Sequence, residues 1–149
     1  MTALINISIE PAPIALPPLP TDGTSGAECI FRGQTRADQH SDYGTLIALE
    51  YEAYEPMASE LLKALAMEIT KEFEITSLRI VHATGRVPLG EPSVLIETRA
   101  AHRAPAFEAT SATIDRLKKR LPIFKTEHWE HGTTRPQGVT PTPSLDCSS

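Results

Sequence analysis

The stretch SLRIVHATGRVPLGEPSVLIET at residues 77–98 decides the class of fold. A period of two runs through residues 78–82 and again through 94–98, and it predicts two strands that each turn one face to the core. The same period occurs at residues 27–31 and 47–51. Because these strands alternate rather than run continuously apolar, they favour a mainly antiparallel sheet over a doubly wound parallel one.

Two amphipathic helices are interleaved with the strands. Apolar side chains recur every four residues along 56–73, and the proline that opens this segment suits the first helical position. A second apolar stripe, at three- and four-residue steps, begins at Pro105, and Pro122 ends it. Together the patterns predict a single α+β domain in which a mainly antiparallel sheet carries helices packed on one face.

Proline divides the chain into a folded centre and two irregular ends. The 149 residues are enough for one domain with its own core, and eight of the thirteen prolines lie within 1–20 or 136–149. We therefore expect an N-terminal strand and proline-rich arm at 1–25, a folded domain at 26–131 and a flexible C-terminal tail at 132–149.

Charge, cysteines and hydropathy argue against several classes of protein. The net charge of −5 speaks against general affinity for nucleic acid or for an anionic membrane. No apolar run has the roughly 18 residues of a membrane helix. Cys29 and Cys147 are distant in sequence and no CxxC pattern occurs, which excludes a zinc ribbon or a disulfide scaffold. The absence of Lys and Arg from residues 1–20 predicts no secretory signal, so a cytoplasmic protein is expected.

The basic side chains are concentrated in one segment. Residues 99–125 hold seven basic and two acidic side chains, although the whole chain is acidic. Such an island suits either a local anion site or a solvated helix face, and charge alone does not separate the two. A helix N-terminus beside a His-Arg pair offers free N–H groups and cationic donors to a phosphate. The candidate anion-binding residues are Arg36, His102, Arg103, Lys118 and Lys125.

Two further residues with reactive side chains are assigned to the core. Cys29 and His82 fall on alternating strand faces, where a packed thiol or a structural histidine is more common than a nucleophile or a ligand. The residues alone thus indicate a small α+β protein that binds an anionic small molecule, and they do not reveal its reaction.

Four segments, in matching order and spacing, resemble the large subunit of molybdopterin synthase. They are GAECIFRGQTR (26–36), LEYEAYEPMA (49–58), AHRAPAFEA (101–109) and LKKRLPIFKTE (117–127). The resemblance implies a sulfur transferase that converts cyclic pyranopterin monophosphate to molybdopterin without a metal or cofactor. It also implies a homodimer that forms a heterotetramer with a small ubiquitin-like carrier, whose C-terminal Gly-Gly thiocarboxylate supplies the sulfur.

The same resemblance implies which residues form the site. Lys118 and Lys125 are the implied catalytic residues. The implied substrate-binding residues are Phe31, Gln34, Thr35, Arg36, His102, Arg103, Ile114, Lys118, Lys125, Thr126 and Glu127. Two residues, Ala83 and Gln34, depart from the family pattern. At Ala83, this chain has HATG where many relatives carry HRxG. The alternative is a non-catalytic module that binds a ubiquitin-like tail or a phosphorylated ligand.

The spacing of the implied residues predicts a site shared between two copies of the chain. His102 and Lys118 lie 16 positions apart at opposite ends of one predicted helix. That spacing separates their backbones by roughly 24 Å, which one pterin monophosphate does not span comfortably. A two-fold dimer brings the start of this helix in one copy to its end in the other.

Overall fold

The computed structural model describes residues 2–21 and 23–136. Its strands are β1 (Leu4–Pro11), β2 (Ala27–Gln34), β3 (Gln39–His40), β4 (Gly44–Ala53), β5 (Ser77–Pro88), β6 (Pro92–Ala100), β7 (Ile123–Trp129) and β8 (Gly132–Thr134). Its helices are α1 (Met57–Glu72) and α2 (Arg103–Arg120). The helix expected over 56–73 and the four expected strands are therefore present.

The strands form an eight-stranded sheet in the order β2-β6-β5-β4-β7-β8, with β1 beside β5 and β3 beside β4. The long strand β5 joins the two halves, because it pairs with β6 over 77–82 and with β4 over 85–88. Only the β1–β5 pairing is parallel among the strands described. The expected α+β domain with a mainly antiparallel sheet is confirmed.

Both helices pack on one face of the sheet, as predicted. Leu62 and Ile69 of α1 and Leu117 of α2 lie in one core cluster with Leu78 and Ile96 of the sheet. The period of two in β5 and β6 supplies the sheet side of this core. Cys29 packs at its border, half-buried, as expected for a structural thiol.

The second helix begins two residues earlier than predicted. His102 is extended and precedes the first helical residue, Arg103. Pro105 therefore occupies the third helical position, where a backbone N–H has no partner within the helix, so the missing donor costs no hydrogen bond. The helix ends next to Pro122, as the sequence predicts.

The N-terminal arm covers the opposite face of the sheet. Ile14 is only 5% exposed and packs with Leu95 and neighbouring side chains of β5 and β6. Arg79 donates a hydrogen bond to the carbonyl of Pro17, and Arg99 donates to two further carbonyls of the arm. Composition placed a boundary at residue 26 between the arm and the folded domain, but the arm packs against the sheet. Sequence composition missed this because the anchors are one isoleucine and backbone carbonyls.

The first residues of the segment expected as a C-terminal tail from residue 132 belong to the sheet. Gly132–Thr134 form β8, which pairs with β7, so these three residues belong to the sheet. A three-residue strand of glycine and threonine has too short a pattern to be recognised in sequence. The rest of the tail from residue 137 lies outside the described residues.

Candidate functional site

A cavity of about 410 Å³ lies between the end of α2 and the sheet. The residues that line it come from β2, β4, β5, β6, β7, α2 and the loop after β2. The predicted site residues among them are Phe31, Gln34, Arg36, Ile114, Lys118, Lys125 and Glu127. The other lining residues are Gly33, Asp38, Leu46, Leu49, Tyr51, His82, Ser93, Val94, Leu117, Leu121 and Ile123.

A sharp change of direction after α2 brings the two implied catalytic lysines to one cavity. The backbone N–H of Leu121 closes the last helical turn, and the N–H of Ile123 bonds back to the carbonyl of Leu121 at 2.9 Å. Pro122 cannot continue the helix, so the chain turns directly into β7. Lys118 in the last turn and Lys125 in the following strand therefore line the same space.

The register of β7 decides which of its side chains reach the cavity. Lys125 lies opposite Tyr51 and Glu127 lies opposite Leu49, and all four line the cavity. Because neighbouring strand residues point to opposite faces, the side chain of Thr126, between Lys125 and Glu127, points away from the cavity. Thr126, a predicted substrate contact, does not line this cavity.

Some basic side chains form ion pairs between the helices, whereas others line the cavity. Arg116 bonds to Glu68 and Glu72 of α1 at 2.6 and 2.9 Å, and Arg120 bonds to Glu68 at 2.9 Å. Within the described residues no ion pair involves Lys118, Lys125 or Arg36. The arginines therefore join the helices, whereas the three cations of the cavity are left to meet an anion.

Three other predicted residues do not line the cavity. His102 and Arg103 are exposed at the start of α2, whose 18 residues span about 27 Å. Thr35 is buried beside the cavity but does not line it, and its backbone bonds to Glu91 and Gly90 in the turn between β5 and β6. It fixes the base of the loop that carries Arg36. The cavity of one chain thus contains Lys118 and Lys125, but neither His102 nor Arg103.

His82 and Tyr51 line the cavity although neither was predicted as a site residue. Their rings meet edge to face at 5.3 Å. Burial lowers the pKa of His82, although its bond to the Ala83 carbonyl opposes this, and burial raises the pKa of Tyr51 against a hydrogen bond with Ser93. The strand period placed His82 on the helix-covered face, but it gave no sign that a cavity opens there.

Glu127 is held by a hydrogen-bonded chain that leaves no recognisable pattern in the sequence. The indole N–H of Trp129 donates to Oγ1 of Thr134, and that hydroxyl donates to Oε1 of Glu127, both at 2.7 Å. Thr134 comes from β8, within the segment that was expected to be a tail. The short strand β8 therefore sets the position of a carboxylate in the cavity wall.

The described residues contain no group of three or more His, Cys, Asp or Glu side chains that could hold a metal ion. In the same part of the chain, neither helix combines the length and the apolar character needed to cross a membrane. The chemistry available at the cavity is that of its cations, its two carboxylates, and the neutral polar groups of His82, Tyr51, Ser93 and Gln34.

The family model described as MoaE protein matches residues 10–120 of this chain. The molybdopterin synthase catalytic subunits of Drosophila willistoni, Homo sapiens and Bacillus subtilis are 40%, 38% and 39% identical to it over 110, 109 and 108 residues. These matches cover 73%, 73% and 72% of this chain, and 29%, 57% and 68% of the three relatives. The matched segment thus spans less than two thirds of the first two relatives.

Solved structures show the same fold. Molybdopterin synthase from Staphylococcus aureus superimposes with a TM-score of 0.72 at 32% identity, over 78% of this chain and 83% of that one. A chain from the complex of subunits 1 and 2 of molybdopterin-converting factor from Helicobacter pylori is alike in fold, with a TM-score of 0.66 at 18% identity over 93% of both chains. Since the family model spans most of the folded residues, this chain belongs to the MoaE family.

Proposed function

We propose that this protein is the catalytic subunit of a molybdopterin synthase. It transfers sulfur from the C-terminal thiocarboxylate of a small ubiquitin-like carrier to cyclic pyranopterin monophosphate, and the product carries the molybdopterin dithiolene. The observation that supports this most is the cavity in which Arg36, Lys118 and Lys125 have no ion-pair partner among the described residues. Both reactants are anions, so a cavity with unpaired cations attracts each of them.

Lys118 and Lys125 are the proposed catalytic residues. The thiocarboxylate sulfur is already an anionic nucleophile, so it needs no base to attack the substrate carbon. As the C–S bond forms, a C–O bond at that carbon breaks, and an ammonium group beside it stabilises the negative charge on the departing oxygen. Water then cleaves the thioester between substrate and carrier, which leaves the sulfur on the pterin and a carboxylate on the carrier. A lysine in its neutral form can instead take a proton from the water that releases the spent carrier. The guanidinium group of Arg36 can donate two parallel hydrogen bonds to the substrate phosphate.

The site is completed by a second copy of the chain. His102 and Arg103 are exposed at the far end of α2 and do not line the cavity of their own chain. In a two-fold dimer the start of α2 in one copy meets the end of α2 in the other, which creates two equal sites. The two side chains then add cationic and hydrogen-bonding contacts to the phosphate and the pterin. Thr126 does not line the cavity of its own chain, so a contact between Thr126 and the substrate would lie outside this cavity.

The proposed assembly is a heterotetramer of two such chains and two carriers, located in the cytoplasm. A chain of this fold occurs in the Helicobacter pylori complex of subunits 1 and 2 of molybdopterin-converting factor, which is an assembly of the same kind. The acidic net charge of −5 gives no reason to include nucleic acid or a membrane among the partners.

Turnover with defined reactants tests the proposal. The protein is mixed with a thiocarboxylated carrier and the cyclic precursor, and mass spectrometry follows the appearance of a product with two added sulfurs. We expect product with the wild-type chain and not with carrier alone. Binding of the carrier without any product would instead support the alternative of a non-catalytic module.

A further inference from the structure

Among the described residues, His82 contributes the one imidazole ring in the wall of the cavity. The side chain is 6% exposed, and it lies on β5 opposite Val94 of β6, which also lines the cavity. Its ring packs edge to face on Tyr51 of β4. The ring thus lies between neighbouring residues of β6 and β4, which gives its two nitrogens defined directions.

One of these nitrogens is committed to the backbone. Nδ1 of His82 lies 2.8 Å from the carbonyl oxygen of Ala83. A carbonyl only accepts hydrogen bonds, so Nδ1 carries the proton, and in a neutral ring Nε2 then carries the lone pair. The lowered pKa that burial gives His82 favours this neutral form.

The other nitrogen is open to the cavity. Nε2 makes no hydrogen bond within the described residues. Only Thr35 Oγ1 and Ser77 Oγ are fully buried there without a partner, so Nε2 is not sealed inside the core. The accessible space that His82 lines is the cavity itself. The result is an oriented lone pair in the cavity wall to which no described residue is bound.

We propose that Nε2 of His82 accepts a hydrogen bond from an N–H or O–H group of the bound pyranopterin, an inference that rests on the proposed function. The three cations of the cavity are donors only and suit the phosphate, whereas a neutral acceptor suits the uncharged donors of a heterocycle. A ligand without such a donor leaves the lone pair unpaired when it expels water from the cavity, and it binds less tightly. His82 is therefore a specificity-determining contact.

Two substitutions separate this role from a structural one. H82N keeps an N–H close to the position of Nδ1 and loses the acceptor at Nε2, whereas H82Q places its amide close to Nε2. We expect H82N to weaken binding of the cyclic precursor about tenfold, as for one lost hydrogen bond, and H82Q to weaken it less. H128N, at a histidine that does not line the cavity, should bind as the wild type does.

The opposite order, with H82N binding normally and H82Q impaired, would assign His82 to the Ala83 carbonyl alone and overturn the inference. The ¹⁵N resonances of the imidazole give a readout in the unmodified protein, whether or not the variants fold. We expect an unprotonated Nε2 in the free protein, and a shift of that resonance when the precursor binds. If the precursor binds but Nε2 is protonated or does not respond, the inference fails alone. If the precursor does not bind at all, the proposed function fails and takes the inference with it.

Discussion

The basic residues at the end of α2 differ in what they bind. Arg116 and Arg120 use planar guanidinium groups to contact the carboxylates of Glu68 and Glu72 on α1. The hydrogen bond from Arg120, together with the nearby positive charge, lowers the pKa of Glu68, so its carboxylate stays charged to a lower pH than that of an ordinary glutamate. Lys118 lies among these residues, forms no ion pair with any described residue and lines the cavity instead. One turn of helix thus provides both an interhelical contact and a free cation.

Substituting Lys118 tests its catalytic role. We expect K118A to reduce sulfur transfer by about a hundredfold or more. The cost in folding free energy should stay below about 1 kcal/mol, because an exposed cation in a last helical turn contributes little more. Product formation and the thermal midpoint measure the two effects. K119A is the matched control, since Lys119 is exposed on the same turn and does not line the cavity; equal activity of both variants would remove Lys118 from the mechanism.

His82 should make the stability of the protein depend on pH. Its pKa in the fold lies below the ordinary value of 6.5 because the ring is buried. As pH falls through that ordinary value, the unfolded chain gains a proton that the folded chain does not, so the free energy of unfolding decreases. Denaturant titrations at pH 7.5 and about 5.5 should show a larger loss for the wild type than for H82Q. Equal losses would mean that His82 titrates alike in both states.

At the scale of elements, the three-residue strand β8 positions a residue of the cavity. Thr134 of β8 joins Trp129 to Glu127 through one hydroxyl. T134V leaves both partners without that hydroxyl, and we expect a stability loss of about 1 kcal/mol together with a several-fold fall in kcat/KM. T134S should restore both values, and T133V, at the exposed neighbour, should change neither. Unchanged kinetics in T134V would show that Glu127 needs no such support.

The elements that could be predicted from sequence are those with a repeating pattern. The strands at 27–31, 47–51, 78–82 and 94–98 and the helix at 56–73 show a period of two or of about four, and all are present. The paired lysines around Pro122 were also accessible, because the proline dictates a turn. Contacts that depend on one hydroxyl, such as that of Thr134, or on an opening in the core, as at His82, leave no periodic trace. Only the packed chain brings them together.

At the scale of the whole molecule, the N-terminal arm closes the face of the sheet that the helices leave open. Ile14 is the buried apolar anchor of this contact. I14A should lower the free energy of unfolding by about 2 kcal/mol or more, as expected for a buried isoleucine. T21A, at an exposed position of the same arm, should have little effect. If I14A unfolds like the wild type in a denaturant titration, the arm does not pack on the sheet in solution.

Beneath the face covered by the helices, the cavity of one chain holds only part of the proposed site. Arg36, Lys118 and Lys125 line it, whereas His102 and Arg103 lie at the other end of α2. The 18 residues of α2 keep the two ends about 27 Å apart. We therefore propose that sulfur transfer takes place where the end of α2 in one copy meets the start of α2 in another.

Complementation between inactive variants tests this claim most directly. The double variant H102A/R103A is mixed with K118A under conditions of subunit exchange, which mass spectrometry verifies. A heterodimer then contains one intact site and one doubly damaged site, so activity should return to about a quarter of the wild-type value for random pairing. A mixture of K118A and K125A, in which every site keeps one defect, should stay inactive. If exchange is complete and the first mixture also forms no dithiolene product, the site is not shared between two copies.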